Sequence, residues 1–188
     1  MELVTRRFIL RDFGDGDTAA FEAYHNDPRS QEFYGAEQAN PEHARELIDL
    51  FKAWAAEQPR LNYQLAIILR DAPQVLIGCC GLRCANAEAG TAELGIELAP
   101  EYWGRYAYAL EVMQALAVFG FNSLELHTIY GGTVGANSRI ARLVEAFGAT
   151  AVTRPAPDWM SNKGWTHVEW RMTRQQWIGR ARTGRTTC

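Results

Sequence analysis

Apolar and polar residues alternate from Glu2 to Phe13, with Leu3, Thr5, Arg7, Ile9 and Arg11 set against Val4, Arg6, Phe8 and Leu10. A period of two in β-branched and aromatic company predicts one strand. Gly14-Asp15-Gly16-Asp17-Thr18 then supplies a turn and an N-cap for a helix beginning at Ala19, which Asn26-Asp27-Pro28 stops. Asn40-Pro41 opens a second helix, where Leu47, Ile48, Leu50, Phe51 and Trp54 recur at helical spacing up to about Gln58-Pro59. Two extended runs follow, Tyr63 to Leu69 and Val75 to Leu82, joined by the turn-rich Arg70 to Gln74. A third, Thr91 to Leu98, comes after a polar stretch with glycine. Three strands with short links predict an antiparallel meander. The density of Ala, Leu, Val and Met from Tyr106 to Phe121 predicts a helix, Thr128 to Thr133 a short strand, and Ser138 to Phe147 a helix closed by Gly148. Ala151 to Thr153 and His167 to Met172 read as last strands, and the Arg-rich tail from Arg174 as helical at most to Trp177 or Ile178.

The pattern shows no repeat and no linker, and 188 residues suit one domain: residues 1–173, with 174–188 as a basic tail. A net charge of −3 gives no general pull toward nucleic acid or anionic lipid, so neither is an expected partner. No apolar run approaches the roughly 20 residues of a membrane span, and the charged start lacks the apolar core of a signal peptide, so the expected location is the cytoplasm. Cys79 and Cys80 are adjacent in a predicted strand and point to opposite faces, which argues against one shared metal ion. Neither Cys84, Cys188 nor the histidines His25, His43, His127 and His167 add metal spacing, and no metal is expected.

The stretch from Glu93 to Glu111 carries the most chemistry. A strand feeding a tight turn and then a helix gathers unpaired main-chain N–H groups and the positive end of a helix dipole at Gly104 to Ala109, which suits phosphate. The same residues also describe a plain strand-to-helix corner. Along Thr91 to Leu98, Ala92, Leu94, Ile96 and Leu98 share one face, and Thr91, Glu93, Gly95 and Glu97 the other. Gly95 stands where a β-bulge is easily formed. Asn137 precedes a predicted helix and fits an N-cap.

Four stretches in this order resemble the GNAT acyltransferase superfamily, in the branch of the ribosomal-protein N-terminal acetyltransferases: Thr5 to Arg11, Ala92 to Leu98, Tyr102-Trp103-Gly104-Arg105, and Asn137 with Arg142 to Gly148. The resemblance spans roughly residues 3 to 173. It implies an α/β fold with a mixed, mostly antiparallel sheet and helices on both faces. It also implies acetyl-coenzyme A as co-substrate, with its pyrophosphate on the main chain of Gly104, Arg105, Tyr106, Ala107, Tyr108 and Ala109. Its pantetheine arm would lie along Ile96 and Leu98, near Asn137 and Ile140. The family pattern has glycine where this chain has Tyr106, and often serine where it has Ile140.

The implied function is N-acetyl transfer to a primary amine, by direct attack in a ternary complex. The acceptor would be a protein N-terminus or a small molecule, and a homodimer is left open. An amine with a pKa of ~7.7 to ~10.4 must lose a proton before attack, and Glu93 on the cleft face is the expected base, with Glu97 behind it. Residues 33–54 and 155–165 are expected to recognise the acceptor. A non-catalytic acyl-coenzyme A binding module of the same fold is the alternative.

Overall fold

Eight strands form one sheet in the order β1-β2-β3-β4-β5-β6-β8-β7, in a computed structural model that describes residues 1–36, 38, 40 and 42–183. The strands are β1 (Glu2–Val4), β2 (Phe8–Arg11), β3 (Asn62–Leu69), β4 (Ala72–Arg83), β5 (Thr91–Leu98), β6 (Thr128–Val134), β7 (Thr150–Arg154) and β8 (His167–Thr173). The helices are α1 (Thr18–His25), α2 (His43–Ala56), α3 (Tyr106–Asn122), α4 (Ser138–Phe147), α5 (Asp158–Ser161) and α6 (Arg174–Thr183). One-turn 3₁₀ helices stand at Asp15–Asp17, Ser30–Phe33 and Pro100–Tyr102. Only the β5–β6 contact is parallel.

Alternation along the strands separates two cores. Phe8, Leu10, Leu65, Ile67, Leu82, Ala92 and Leu94 pack against Val112, Met113 and Leu116 of α3 and Leu143, Val144 and Phe147 of α4. On the other face Ala66, Ile68 and Cys79 meet Phe21 and Tyr24 of α1 and Ile48 and Phe51 of α2. Cys79 and Cys80 fall on opposite faces, as their adjacency in a strand requires. Helices therefore cover both sides of a mostly antiparallel sheet, the architecture expected.

Four local features differ from the alternation pattern. The predicted strand over Glu2 to Phe13 is a hairpin: the Thr5 N–H donates to the Phe8 carbonyl at 2.9 Å and the Thr5 hydroxyl accepts from the Phe8 N–H at 3.0 Å. A side chain that satisfies local main chain turns it there despite the unbroken alternation. The bulge expected at Gly95 is absent, since β4 and β5 keep register from Gly78↔Leu98 to Arg83↔Glu93. The irregularity lies instead between β3 and β4, where Ile67 faces Gly78 but Ile68 faces Leu76. The last helix runs to Thr183, past Ile178, because it docks: Trp177 meets the rings of Phe121 and Phe147, and Arg174 donates to the carbonyls of Leu126 and Phe121. Asn40 accepts from the Glu42 N–H at 3.1 Å at the entry to α2, while Pro41, Arg185 and Cys188 lie outside the described residues.

Candidate active site

β5 and β6 pair only from Thr91↔Thr128 to Glu93↔Tyr130, and beyond Glu93 the two strands part. The gap opens a cavity of about 630 Å³ that reaches both faces of the sheet. Its lining includes Glu93, Ile96, Leu98, Gly104, Arg105, Ala109, Asn137 and Ile140 of the residues expected from sequence. Tyr106, Ala107 and Tyr108 continue the main chain of that corner as the start of α3.

On the open edge of β5 the direction of the main chain can be deduced. The Ala99 N–H donates to Ile77 of β4 at 2.8 Å, and antiparallel pairing turns alternate residues the other way, so Ile96 and Leu98 face the gap. The Leu98 carbonyl accepts from the Trp103 indole N–H at 2.7 Å, which folds the corner back onto the strand end. Gly104 has φ +77°, a left-handed conformation that glycine adopts without strain, and a Cβ there would meet open space. Among the described residues no side chain caps α3, and within its first turn the Tyr108 N–H donates to the Arg105 carbonyl at 2.8 Å. Arg105 leans over the rings of Tyr102 and Tyr108, 5.6 and 5.4 Å from their centroids. Asn137 does cap α4: its side-chain oxygen accepts from the Ile140 N–H at 3.3 Å, which leaves its amide NH₂ for a ligand.

The opposite wall is made of side chains. Glu93 pairs with Arg83, directly across from it in β4, with Nη2–Oε1 3.1 Å and Nε–Oε2 3.4 Å. A Cβ at Gly95 would come within 3.0 Å of that guanidinium, so the glycine expected to form a bulge instead seats Arg83. Glu97 lies deeper and accepts from the Tyr34 hydroxyl at 3.0 Å. Burial raises its carboxyl above the ordinary range, against the opposing pulls of the Tyr34 hydrogen bond, Arg83 and His43. Burial pushes the Cys79 thiol up to about 12. The two expected recognition segments meet here: Phe33, Tyr34, His43 and Trp54 from one, Trp159 and Met160 from the other.

Sequence reasoning missed Arg83 and Arg139. Arg83 would have followed from the β4–β5 register, which places it opposite Glu93. Arg139 stacks 4.1 Å above the Trp103 ring and pairs with Glu32 at 2.7 Å, joining residues 107 positions apart, and no local pattern announces that. Among the described residues no cluster of three or more His, Cys, Asp or Glu could hold a metal ion, and no helix is long and apolar enough to cross a membrane.

The profile of the acetyltransferase (GNAT) domain matches residues 7–150. The chain belongs to the GNAT acetyltransferase family. This GNAT protein is 33% identical over 128 residues to the uncharacterized N-acetyltransferase YoaA of Bacillus subtilis, a match covering 68% of this chain and 70% of that one. Among solved structures, the spermidine N-acetyltransferase of Vibrio cholerae in complex with CoA and spermine superposes with TM-score 0.71 at 18% identity, over 93% of this chain and 99% of that one. The ribosomal-protein-S5-alanine acetyltransferase of Vibrio fischeri does so with TM-score 0.70 at 14% identity, over 94% and 98%. The GNAT chain is thus an acyl-coenzyme A-dependent N-acyltransferase.

Proposed function

We propose that the protein transfers the acetyl group of acetyl-coenzyme A to a primary amine by direct attack within a ternary complex. The observation that carries this reading is the continuity of one cavity from the uncapped start of α3, through the parting of β5 and β6, to two carboxylates on the far face. The pyrophosphate would rest on the main chain of Gly104 to Ala109, and the pantetheine would follow Ile96 and Leu98 past Asn137 and Ile140. The amine would approach from the side of α1 and α2. Its nitrogen forms a bond to the thioester carbonyl carbon, the C–S bond breaks, coenzyme A leaves as the thiolate, and the amine proton passes to a carboxylate. Cys79, the thiol that lines the cavity, is held protonated by burial, which speaks against an acyl-enzyme.

Glu93 stands at the parting of the strands and is the proposed base, acting through water. A second reading follows from the burial of Glu97: its raised carboxyl is closer to the pH at which a base works well, and its hydrogen-bond partner is a neutral hydroxyl instead of a guanidinium. Thiol release over a panel of primary amines tests the transfer. With a responding amine, Glu93→Gln lowers turnover about a hundredfold, leaves the thermal shift given by acetyl-coenzyme A intact, and recovers partly at high pH. If Glu97→Gln shows that behaviour and Glu93→Gln keeps wild-type turnover, the base is Glu97. Thermal stabilisation without thiol release from any amine would favour the non-catalytic module.

A further inference from the structure

The acceptor side of the cavity ends against the last turn of α1 and the Ser30–Phe33 turn. Four side-chain atoms of this stretch are buried with no hydrogen-bond partner among the described residues, Asn26 Oδ1 away from the cavity lining and three on it: the Tyr24 hydroxyl, Nδ1 of His25 and the Ser30 hydroxyl. All three residues line the cavity, and Tyr24 and His25 are only 5% and 2% exposed. The Tyr24 hydroxyl has the Cys79 thiol beside it, and sulfur is a weak hydrogen-bond partner that leaves most of that hydroxyl's capacity free. A buried polar group without a partner is costly, and three at one end of a ligand cavity mark a place built to be completed by a ligand.

The chemistry of this end is narrow. Burial holds the His25 imidazole neutral, with its pKa brought down to about 4 and His43 adding to the effect. Tyr24 and Ser30 are neutral hydroxyls. The wall carries the Glu97 carboxylate, reached through Tyr34, whose ring lies 5.2 Å from that of His25 and whose hydroxyl bonds Glu97, and the His43 ring, 5.9 Å from that of His25. Hydroxyls and a neutral imidazole both donate and accept, and a carboxylate beside them repels an acidic group.

We propose that the cavity end formed by Tyr24, His25 and Ser30 is a head-group subsite, which takes a neutral hydroxyl or amide carried by the acceptor beyond its amine. The inference rests on the acetyl-transfer reading above and names its acceptor class: amino alcohols or amides of the kind a peptide presents next to its N-terminus, in preference to plain alkylamines and amino acids.

Calorimetric titration of the coenzyme A-bound protein tests this, with ethanolamine and glycinamide as probes against propylamine and β-alanine, together with the longer homologues of each. At least one of the hydroxyl and amide series should bind about tenfold more tightly than its alkyl counterpart, the worth of one or two well-made hydrogen bonds. The acid series should bind most weakly. Tyr24→Phe and Ser30→Ala together should bring the hydroxyl-to-alkyl or amide-to-alkyl ratio close to unity without changing the acetyl-coenzyme A thermal shift. Equal affinities in the wild type, no binding by any probe, or a preference that survives both substitutions would overturn the proposal. The wild-type ratios decide the matter alone should the double variant fail to fold. Turnover is read separately: acetylation of alkylamines without head-group preference removes the subsite only, whereas selective binding without acetylation of any amine removes the transfer reading only.

Discussion

On the face covered by α3 and α4, the polar groups that border the cleft belong mainly to the main chain: the first N–H groups of α3, the edge of β5 at Ile96 and Leu98, and the left-handed Gly104. On the face covered by α1 and α2 they are side chains, among them Glu93, Glu97, Tyr34, Tyr24 and His25. As the proposed phosphate cradle, the first wall would depend on backbone course and tolerate changes of side chain, so Tyr106 could stand where the family pattern has glycine. The second depends on which residues are present, so the proposed acceptor choice would reside there. It also contains His25, whose charge is coupled to folding.

The largest test of that contrast is acid. His25 has an imidazole pKa near 4 in the fold against the ordinary 6.5. Above pH 6.5 both folded and unfolded chains hold it neutral. Below that the unfolded chain binds the proton first, so stability falls between pH 6.5 and about 4, by up to about 3 kcal/mol from this residue. Denaturant unfolding at the two pH values should show this loss in the wild type and a clearly smaller one in His25→Gln, where only the lowered carboxylates such as Asp17 and Glu111 still contribute. An equal acid loss in the variant would mean that His25 is not the group responsible.

Next in size is Gly78→Ala, which strikes both walls together. A Cβ at Gly78 would stand 2.1 Å from the Glu97 carbonyl, so β4 and β5 must separate at the end of β5. A stability loss of about 2 kcal/mol is expected from such overpacking. Acetyl-coenzyme A binding and turnover should both weaken, because Glu97 and Leu98 move as one segment.

The smallest effect separates cofactor contact from backbone strain. Gly104 and Gly164 have φ of +77° and +69°, and a Cβ at either would meet open space. Alanine at each should cost about 1 kcal/mol of stability for the left-handed backbone alone. The acetyl-coenzyme A Kd should rise only for Gly104→Ala, where the methyl group enters the proposed phosphate cradle. An equal rise in both variants would make Gly104 a fold residue and nothing more.

Much of this was legible in the chain. The helix predicted over Ser138 to Phe147 has those bounds, with Asn137 as its N-cap and Gly148 left-handed at its end, because capping chemistry acts within a few residues. The three meander strands and the opposite faces of Cys79 and Cys80 follow from a period of two. The Thr5 turn was hidden because the alternation runs through it and only the hydroxyl breaks it. The Gly95 reading went astray because a glycine in a strand fits a bulge or a close approach equally well, and Arg83 supplied the close approach.

The sequence by itself determined most of the elements, the faces they bury and the family, since these depend on periodicity, caps and motifs a few residues long. The tertiary structure alone decided which carboxylate meets a guanidinium and which a hydroxyl. Those pairings join Arg83 to Glu93 across a strand register and Tyr34 to Glu97 across 63 positions. The same long-range packing leaves the Tyr24 hydroxyl, His25 Nδ1 and the Ser30 hydroxyl without a strong hydrogen-bond partner among the described residues at one end of the cavity, because burial and hydrogen-bond satisfaction are set by where distant segments come to rest.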